Sequence, residues 1–273
     1  MEVIADKTQL RERLRAQKNK QKKIAFIPTM GNLHDGHLSL IDIAKNYSEC
    51  VVVSIFINPT QFLEGEDYDT YPRTIESDFS KLKSKGVSFV FVPEINEIYP
   101  SKEQIVKISL PELSSELCGK VRYGHFDGVA SVVLRLFNII RPDISIFGNK
   151  DYQQKIILQQ MVADLSMNIK IIGGEIIREE DGLAMSSRNQ FLSKSSRLKA
   201  KSLYSVLCES KKLINKKNKN FDFIECFGKK ELEKNGFIVD YFSIRNKFSL
   251  KKTTNHDNLI IMASGVIDKV RLI

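Results

Sequence analysis

The strongest constraint on this chain's fold is an alternation. Short apolar runs recur at 24–28, 50–57, 87–92, 143–147 and 169–177, and helical patterns fill the gaps at about 36–47, 74–85, 126–140 and 151–166. Runs this short and continuous suit strands buried on both faces. Strands alternating with helices make βαβ units, which require a mostly parallel sheet with helices on both faces. The expected fold is therefore α/β and Rossmann-like. Within 126–140, the spacing of Phe126, Val129, Val132, Val133, Leu136 and Phe137 predicts the buried face of a helix. QIVKIS at 104–109 predicts a further short strand, and 112–117 a short helix. Gly173-Gly174 predicts a bulge or bend in the last strand.

Past residue 178 the pattern changes. REEDGLAMSSRN is polar and loop-like, 195–235 reads as Lys-rich helices, and 237–246 and 258–267 read as strands. This predicts a smaller α+β domain at 178–273 after a Rossmann-like domain at 1–177. KKLINKKNKN at 211–220 reads as a basic helix end or loop.

The charge is unevenly spread. Residues 194–252 hold fourteen Lys, two Arg and six acids, so they carry +10 of a net +9 and the rest carries −1. A basic part of this kind could bind nucleic acid. Lys far exceeds Arg, and no aromatic-rich single-strand pattern accompanies it, which favours a solvated surface without nucleic acid. No apolar run reaches the ~18 residues that suggest a membrane span. The first residues, MEVIADKTQLRERLRAQ, read as a charged amphipathic helix rather than a secretory signal. Cys50, Cys118, Cys208 and Cys226 are scattered, as expected for free thiols in a reducing compartment. A cytoplasmic location is expected.

One turn carries most of the chemistry. PTMGNLHDGHLSL at 28–40 follows the apolar run Ile24-Ala25-Phe26-Ile27 and leads into an amphipathic helix. His34 and His37 thus stand at a helix N-terminus, where unpaired N–H groups and the helix dipole attract anions. Gly31 and Gly36 permit close backbone approach. A phosphate site is expected after this first strand. Two histidines could also be an incidental polar turn or two zinc ligands. Zinc needs a further protein ligand, and the other histidines are the distant His125 and His256.

Four blocks decide between these readings. They are PTMGNLHDGHLSL at 28–40; SIFINPTQF at 54–62 with DYDTYPRT at 67–74; CGKVRYGHFDGVASVVLRLFNIIRPD at 118–143 with IFGNKDYQQ at 146–154; and DGLAMSSRNQFLS at 181–193. In this order they resemble the pantoate–β-alanine ligases, within the wider H-x-G-H nucleotidylyltransferases. The resemblance spans 24–192 and is loose after 193.

It implies ligation of pantoate and β-alanine to pantothenate, through a pantoyl adenylate, with release of AMP and pyrophosphate. It also implies Mg²⁺ bound with ATP, no resident metal, and a homodimer. Met30, Gly31, Asn32, Leu33, His34, Asp35, Gly36 and His37 would bind ATP, as would Gly148, Asn149, Lys150, Asp151, Ile177, Met185, Ser186, Ser187 and Arg188. His37, His34 and Lys150 would be catalytic. Gln61 and Gln154 would bind pantoate, and Gln61 β-alanine as well. Asn58 is a plausible extra contact. The second domain would act as a lid.

Two departures stand out: Asn149 replaces a usual Glu, and Tyr123 a usual Pro. His125 reads as structural. The alternatives are a nucleotidylyltransferase acting on a phosphorylated acceptor and an RNA-binding protein. A phosphorylated acceptor would call for Arg or Lys where Gln61 and Gln154 stand.

Overall fold

The structure is a computed structural model describing residues 1–101, 106–110, 113–215 and 220–273. The chain forms two compact units, one of 1–115 and 122–175, the other of 116–121 and 176–273.

The first unit is built on six parallel strands: β1 (Glu2–Ile4), β2 (Ile24–Thr29), β3 (Cys50–Ile55), β4 (Phe89–Phe91), β5 (Ile144–Gly148) and β6 (Lys170–Gly174). Their order is β1-β4-β3-β2-β5-β6. Its helices are α1 (Lys7–Asn19), α2 (Asp35–Lys45), α3 (Ile75–Ser84), α4 (Ile95–Ile98), α6 (His125–Ile140) and α7 (Tyr152–Asp164), with α5 (Cys118–Val121) assigned to the second unit.

Strand periodicity puts alternate residues of β2 into two different cores. Ile24 and Phe26 pack with Leu10 and Leu14 of α1, the apolar stripe of α6, and Leu158 and Met161 of α7. Ala25 and Ile27 pack with Leu40, Ile41 and Ala44 of α2 and Leu82 of α3. Both faces are covered, which is why the strands read as unbroken apolar runs. All six residues expected on the buried face of α6 are buried.

The strand order turns back at β2, with β3 on one side and β5 on the other. Ligands of open α/β sheets bind outside the carboxyl ends of strands at such a point. The 30–37 turn leaves β2 there, and the 149–151 turn leaves β5.

The sequence reading needs four corrections. The N-terminal segment is not helix alone, because Glu2–Ile4 pairs in parallel with Phe89–Phe91 before α1 begins at its Asp6 cap. Three residues are too few to show a period, and the hydrogen bonds come from a strand almost ninety positions away. Of the strand expected at 104–109, residues 104 and 105 lie outside the described residues, and 106–109 form no strand. Of the helix expected at 112–117, residue 112 is likewise outside, and 113–117 are turn and bend before α5. Gly173 and Gly174 are not a bulge. They pair in register with Phe147 and Gly148, and a Cβ would meet Asn149 Oδ1 or Leu40 Cδ2 at 2.3 Å. The pair permits close packing rather than a bend.

The second unit holds α8 (Lys194–Ala200), α9 (Ser202–Asn215), α10 (Phe221–Lys234) and an antiparallel sheet of β7 (Ile238–Asn246), β8 (Leu259–Ile267) and β9 (Val270–Leu272). Its core gathers Leu203, Val206, Leu232, Phe242, Ala263 and Leu272. β9 is an addition to the elements expected from sequence. The 116–121 segment joins this unit through Arg245, whose guanidinium donates to Glu116 at 2.6 Å, and through Cys118 and Tyr241, whose Sγ and hydroxyl lie 3.0 Å apart. Lys216, Lys217 and Lys219 of the basic stretch lie outside the described residues.

Candidate active site

The spacing of His34 and His37 has a local cause. His34 is the N-cap of α2 and His37 stands three residues on, as in a capping box. The Gly36 N–H donates to His34 Nδ1 at 3.1 Å, and the His34 N–H donates to His37 Nδ1 at 3.3 Å. The rings pack with centroids 4.1 Å apart. An Nδ1 that accepts from a backbone amide carries no hydrogen, so each neutral ring keeps its hydrogen on Nε2. Burial, then the charge of Lys150, push His34 down to about 4. Burial, His34 and Lys150 push His37 down to about 3. Both rings are neutral Nε2–H donors near pH 7.

The expected crown of unpaired amides is therefore largely occupied. Besides the two amides on imidazoles, Gly31 N–H donates to Thr29 Oγ1 at 3.2 Å, and His37 and Leu38 N–H donate to His34 O at 2.8 and 3.1 Å. Asn32 and Leu33 N–H donate to the Asp78 carboxylate at 2.9 and 2.8 Å. Gly31 has φ +83°, and a Cβ there would come within 3.1 Å of Asp78 Oδ2.

Asp78 and Lys81, both on α3, were missed from sequence. Asp78 is 1% exposed, and Lys81 Nζ donates to Leu33 O at 2.6 Å. Together they hold both polarities of the turn. The available signal was an acid at a core-facing position of α3, between Ile75 and Leu82.

Gln61 ends a short 3₁₀ turn, Pro59–Gln61, capped by Asn58. Asn58 is 1% exposed and its orientation is dictated. The Thr60 N–H donates to its Oδ1 at 3.4 Å, and its Nδ2 donates to the Gly128 carbonyl at 3.2 Å. The same Nδ2 donates to Gln61 Oε1 at 3.1 Å, which leaves Gln61 Nε2 to point at Met30 Sδ, 3.2 Å away. Sulfur is a weak acceptor, so Gln61 presents a donor beside the 30–37 turn. Tyr99, also missed, donates its hydroxyl to Asn58 Oδ1 at 2.7 Å. The turn lies against α6 because residue 128 is Gly; a Cβ would stand 2.2 Å from Thr60 O.

Gly148–Asp151 leaves β5 in a short 3₁₀ turn, and Lys150 lies close enough to depress both imidazoles. Asp151 precedes α7 without making a side-chain cap bond. Asn149 turns its Oδ1 to Lys155 Nζ at 2.7 Å, and that ammonium sits over the Tyr152 ring at 4.1 Å. Gln154 is half-buried, whereas its neighbour Gln153 is buried and donates to Leu113 O at 2.7 Å.

The structure thus brings His34, His37 and Lys150 together, with Gln61 joined to the same turn through Met30. Ile177, Met185, Ser186, Ser187 and Arg188 belong to the second unit. There Met185 N–H donates to Ile177 O at 3.0 Å, and Ser186 caps a 3₁₀ turn by accepting from Arg188 N–H at 3.3 Å.

Residues 2–273 match the family described as pantoate-beta-alanine ligase. The chain belongs to the pantoate–β-alanine ligase family. The resemblance read over 24–192 therefore extends through the C-terminal third. A pantothenate synthetase of Psychrobacter cryohalolentis is 45% identical over 268 residues, covering 97% of this chain and 93% of that protein. One of Methylobacillus flagellatus is 42% identical and covers 100% and 97%. The crystal structure of pantothenate synthetase from Thermus thermophilus superposes with a TM-score of 0.92 at 35% identity, over 100% of this chain and 97% of that one. A Francisella tularensis pantoate-beta-alanine ligase, complexed with beta-gamma ATP and beta-alanine, gives 0.82 at 34%, covering 100% and 95%.

Proposed function

We propose that this chain ligates pantoate to β-alanine with the residues of the β2 and β5 turns. The pantoate carboxylate attacks the α-phosphorus of ATP, and pyrophosphate leaves. The β-alanine amine then attacks the acyl carbon of the adenylate, loses a proton, and displaces AMP. The first step starts from an anionic nucleophile, so it calls for alignment and charge neutralisation more than proton transfer.

The observation that carries this reading is the pair of neutral imidazoles beside Lys150. Each Nε2–H can donate to a phosphate oxygen without giving up its proton. His37 and His34 stabilise the charge on the phosphates in the transition state, and Lys150 adds a full positive charge. Asp151 accepts from ribose hydroxyls. Gln61 donates to pantoate through the amide that Asn58 orients, and Gln154 is the second pantoate ligand. Gln61 also meets β-alanine. Ile177 packs on adenine, and Met185, Ser186, Ser187 and Arg188 keep the phosphate-binding role that the resemblance implies.

Magnesium enters with the triphosphate. A hard cation of this kind takes phosphate oxygens and water together with one or two carboxylates rather than an all-protein cage. The enzyme acts as a cytoplasmic homodimer. Supporting that location, the four cysteines are free thiols.

The test is exchange of labelled pyrophosphate into ATP. Exchange should require pantoate but not β-alanine, and the full reaction should yield AMP. ADP and phosphate as products would move the attack away from the α-phosphorus.

A further inference from the structure

Behind Gln61 stands a chain of charged and polar groups. The Arg122 guanidinium grips Glu66 with two bonds, Nε to Oε1 at 2.7 Å and Nη2 to Oε2 at 2.6 Å. Its Nη1 lies 2.8 Å from His125 Nε2. His125 Nδ1 lies 2.7 Å from the Gln61 carbonyl oxygen.

The direction of every bond follows from Arg122. A guanidinium only donates, so His125 Nε2 must accept and carry no hydrogen. The hydrogen of the neutral ring is then on Nδ1, where it donates to Gln61 O. Burial and the Arg122 charge hold His125 down at about 4, so this tautomer persists at neutral pH. The Arg122 and Glu66 side chains are only 17% and 20% exposed. Burying a charged pair to that extent costs desolvation that an apolar contact would avoid.

We propose that Glu66, Arg122 and His125 form a positioning relay that holds the Gln61 carbonyl, aims its side chain and so sets the enzyme's grip on pantoate. The proposal rests on Gln61 being a pantoate ligand. The relay joins three segments: the loop after Gln61, the residues before α6, and the first residue of α6. Gln61 is thereby held at both ends, its carbonyl by His125 and its side-chain amide by Asn58.

Tautomer logic supplies the test. Asn presents its amide N–H about where His presents Nδ1–H, whereas Gln presents it near Nε2. His125→Asn should therefore keep the bond to Gln61, whereas His125→Gln can turn its amide oxygen to Arg122 but leaves no donor at the Gln61 carbonyl. His125→Gln should raise KM for pantoate about tenfold, the size of effect expected when a buried acceptor loses its donor. KM for ATP should stay within about twofold, and His125→Asn should restore pantoate binding. Glu66→Gln, a milder change at a less buried group, should raise KM for pantoate by a smaller factor. It keeps the test available if His125→Gln does not fold.

Gln61→Ala, measured alongside, separates the two failures. If Gln61→Ala raises KM for pantoate but His125→Gln and Glu66→Gln do not, the relay is overturned and the Gln61 assignment stands. If Gln61→Ala leaves it unchanged, the assignment fails and the relay falls with it. Equal rises for pantoate and ATP, or no difference between His125→Asn and His125→Gln, would also overturn the relay.

Discussion

Two helices of the first unit begin at histidines, and the two starts use the same side chain in opposite ways. At α2, backbone amides donate to Nδ1 of His34 and His37, so both rings hold their hydrogen on Nε2. At α6, Arg122 donates to Nε2 of His125, so that ring holds its hydrogen on Nδ1 and gives it to a backbone carbonyl. All three rings are pushed well below their ordinary value by burial first, with positive neighbours adding to it. Burial alone makes a histidine neutral. What decides which ring nitrogen keeps the hydrogen is which of them meets a neighbour that can only donate.

The largest effect that bears on this contrast is expected at α2. His37→Ala should keep the fold and lower turnover by about 10²–10³-fold, the usual loss for one preorganised donor. The conservative variants should rank in opposite orders at the two helices. Gln, which can mimic an Nε2–H, should retain more activity than Asn at position 37, and Asn more than Gln at position 125. The same ranking at both would erase the difference between them. Lys150→Ala should resemble His37→Ala in turnover, because a charge beside the imidazoles is lost; near-normal turnover would remove Lys150 from the chemistry.

A smaller effect is expected one step from the phosphates. Gln61→Ala or Gln154→Ala should weaken pantoate by roughly 1–3 kcal/mol, the cost of leaving a buried polar group without its partner. ATP affinity, followed by calorimetry, should hardly change. A fall in ATP affinity instead would reassign these residues.

How much of this was legible in the sequence follows a physical line. The parallel sheet and the buried stripe of α6 were readable, because burial on both faces leaves continuous apolar runs. The identity of His34 and His37 was readable as a motif at a helix start. Their tautomers were not, because hydrogen placement depends on neighbours brought together by folding. Asp78, Lys81 and Tyr99 escaped because each acts on a turn far away in sequence. β1 and β9 escaped because charged residues interrupt or flank their three positions, whereas the equally short β4 sits inside the apolar run 87–92. Arg122 and Glu66 are separated by 56 positions, and nothing local announces that they meet.

Stability should also report on the buried rings. An unfolded histidine takes up its proton near 6.5, whereas folded His34 and His125 resist until about 4 and His37 until about 3. The unfolded chain then binds more protons between those values. Their contribution is fully present above about 6.5 and is lost as pH falls through the folded values. His37→Gln should flatten that acid limb in denaturant titrations; an unchanged limb would mean the ring titrates normally. The smallest effect is expected in the second unit. Replacing Lys212, Lys216, Lys217 and Lys219 with Gln should leave activity nearly intact, and tight salt-sensitive binding of the wild type to RNA would contradict that surface being merely solvated.

The most direct test of the contrast between α2 and α6 is nitrogen NMR of the ¹⁵N-histidine-labelled protein, titrated from pH 8 to 5 with assignments from single His variants. His34 and His37 should show a hydrogen on Nε2 and a bare Nδ1, His125 should show the reverse, and none of the three should titrate in that range. A ring among them that protonates near 6.5, or a His125 that shares the tautomer of the α2 pair, would contradict the account.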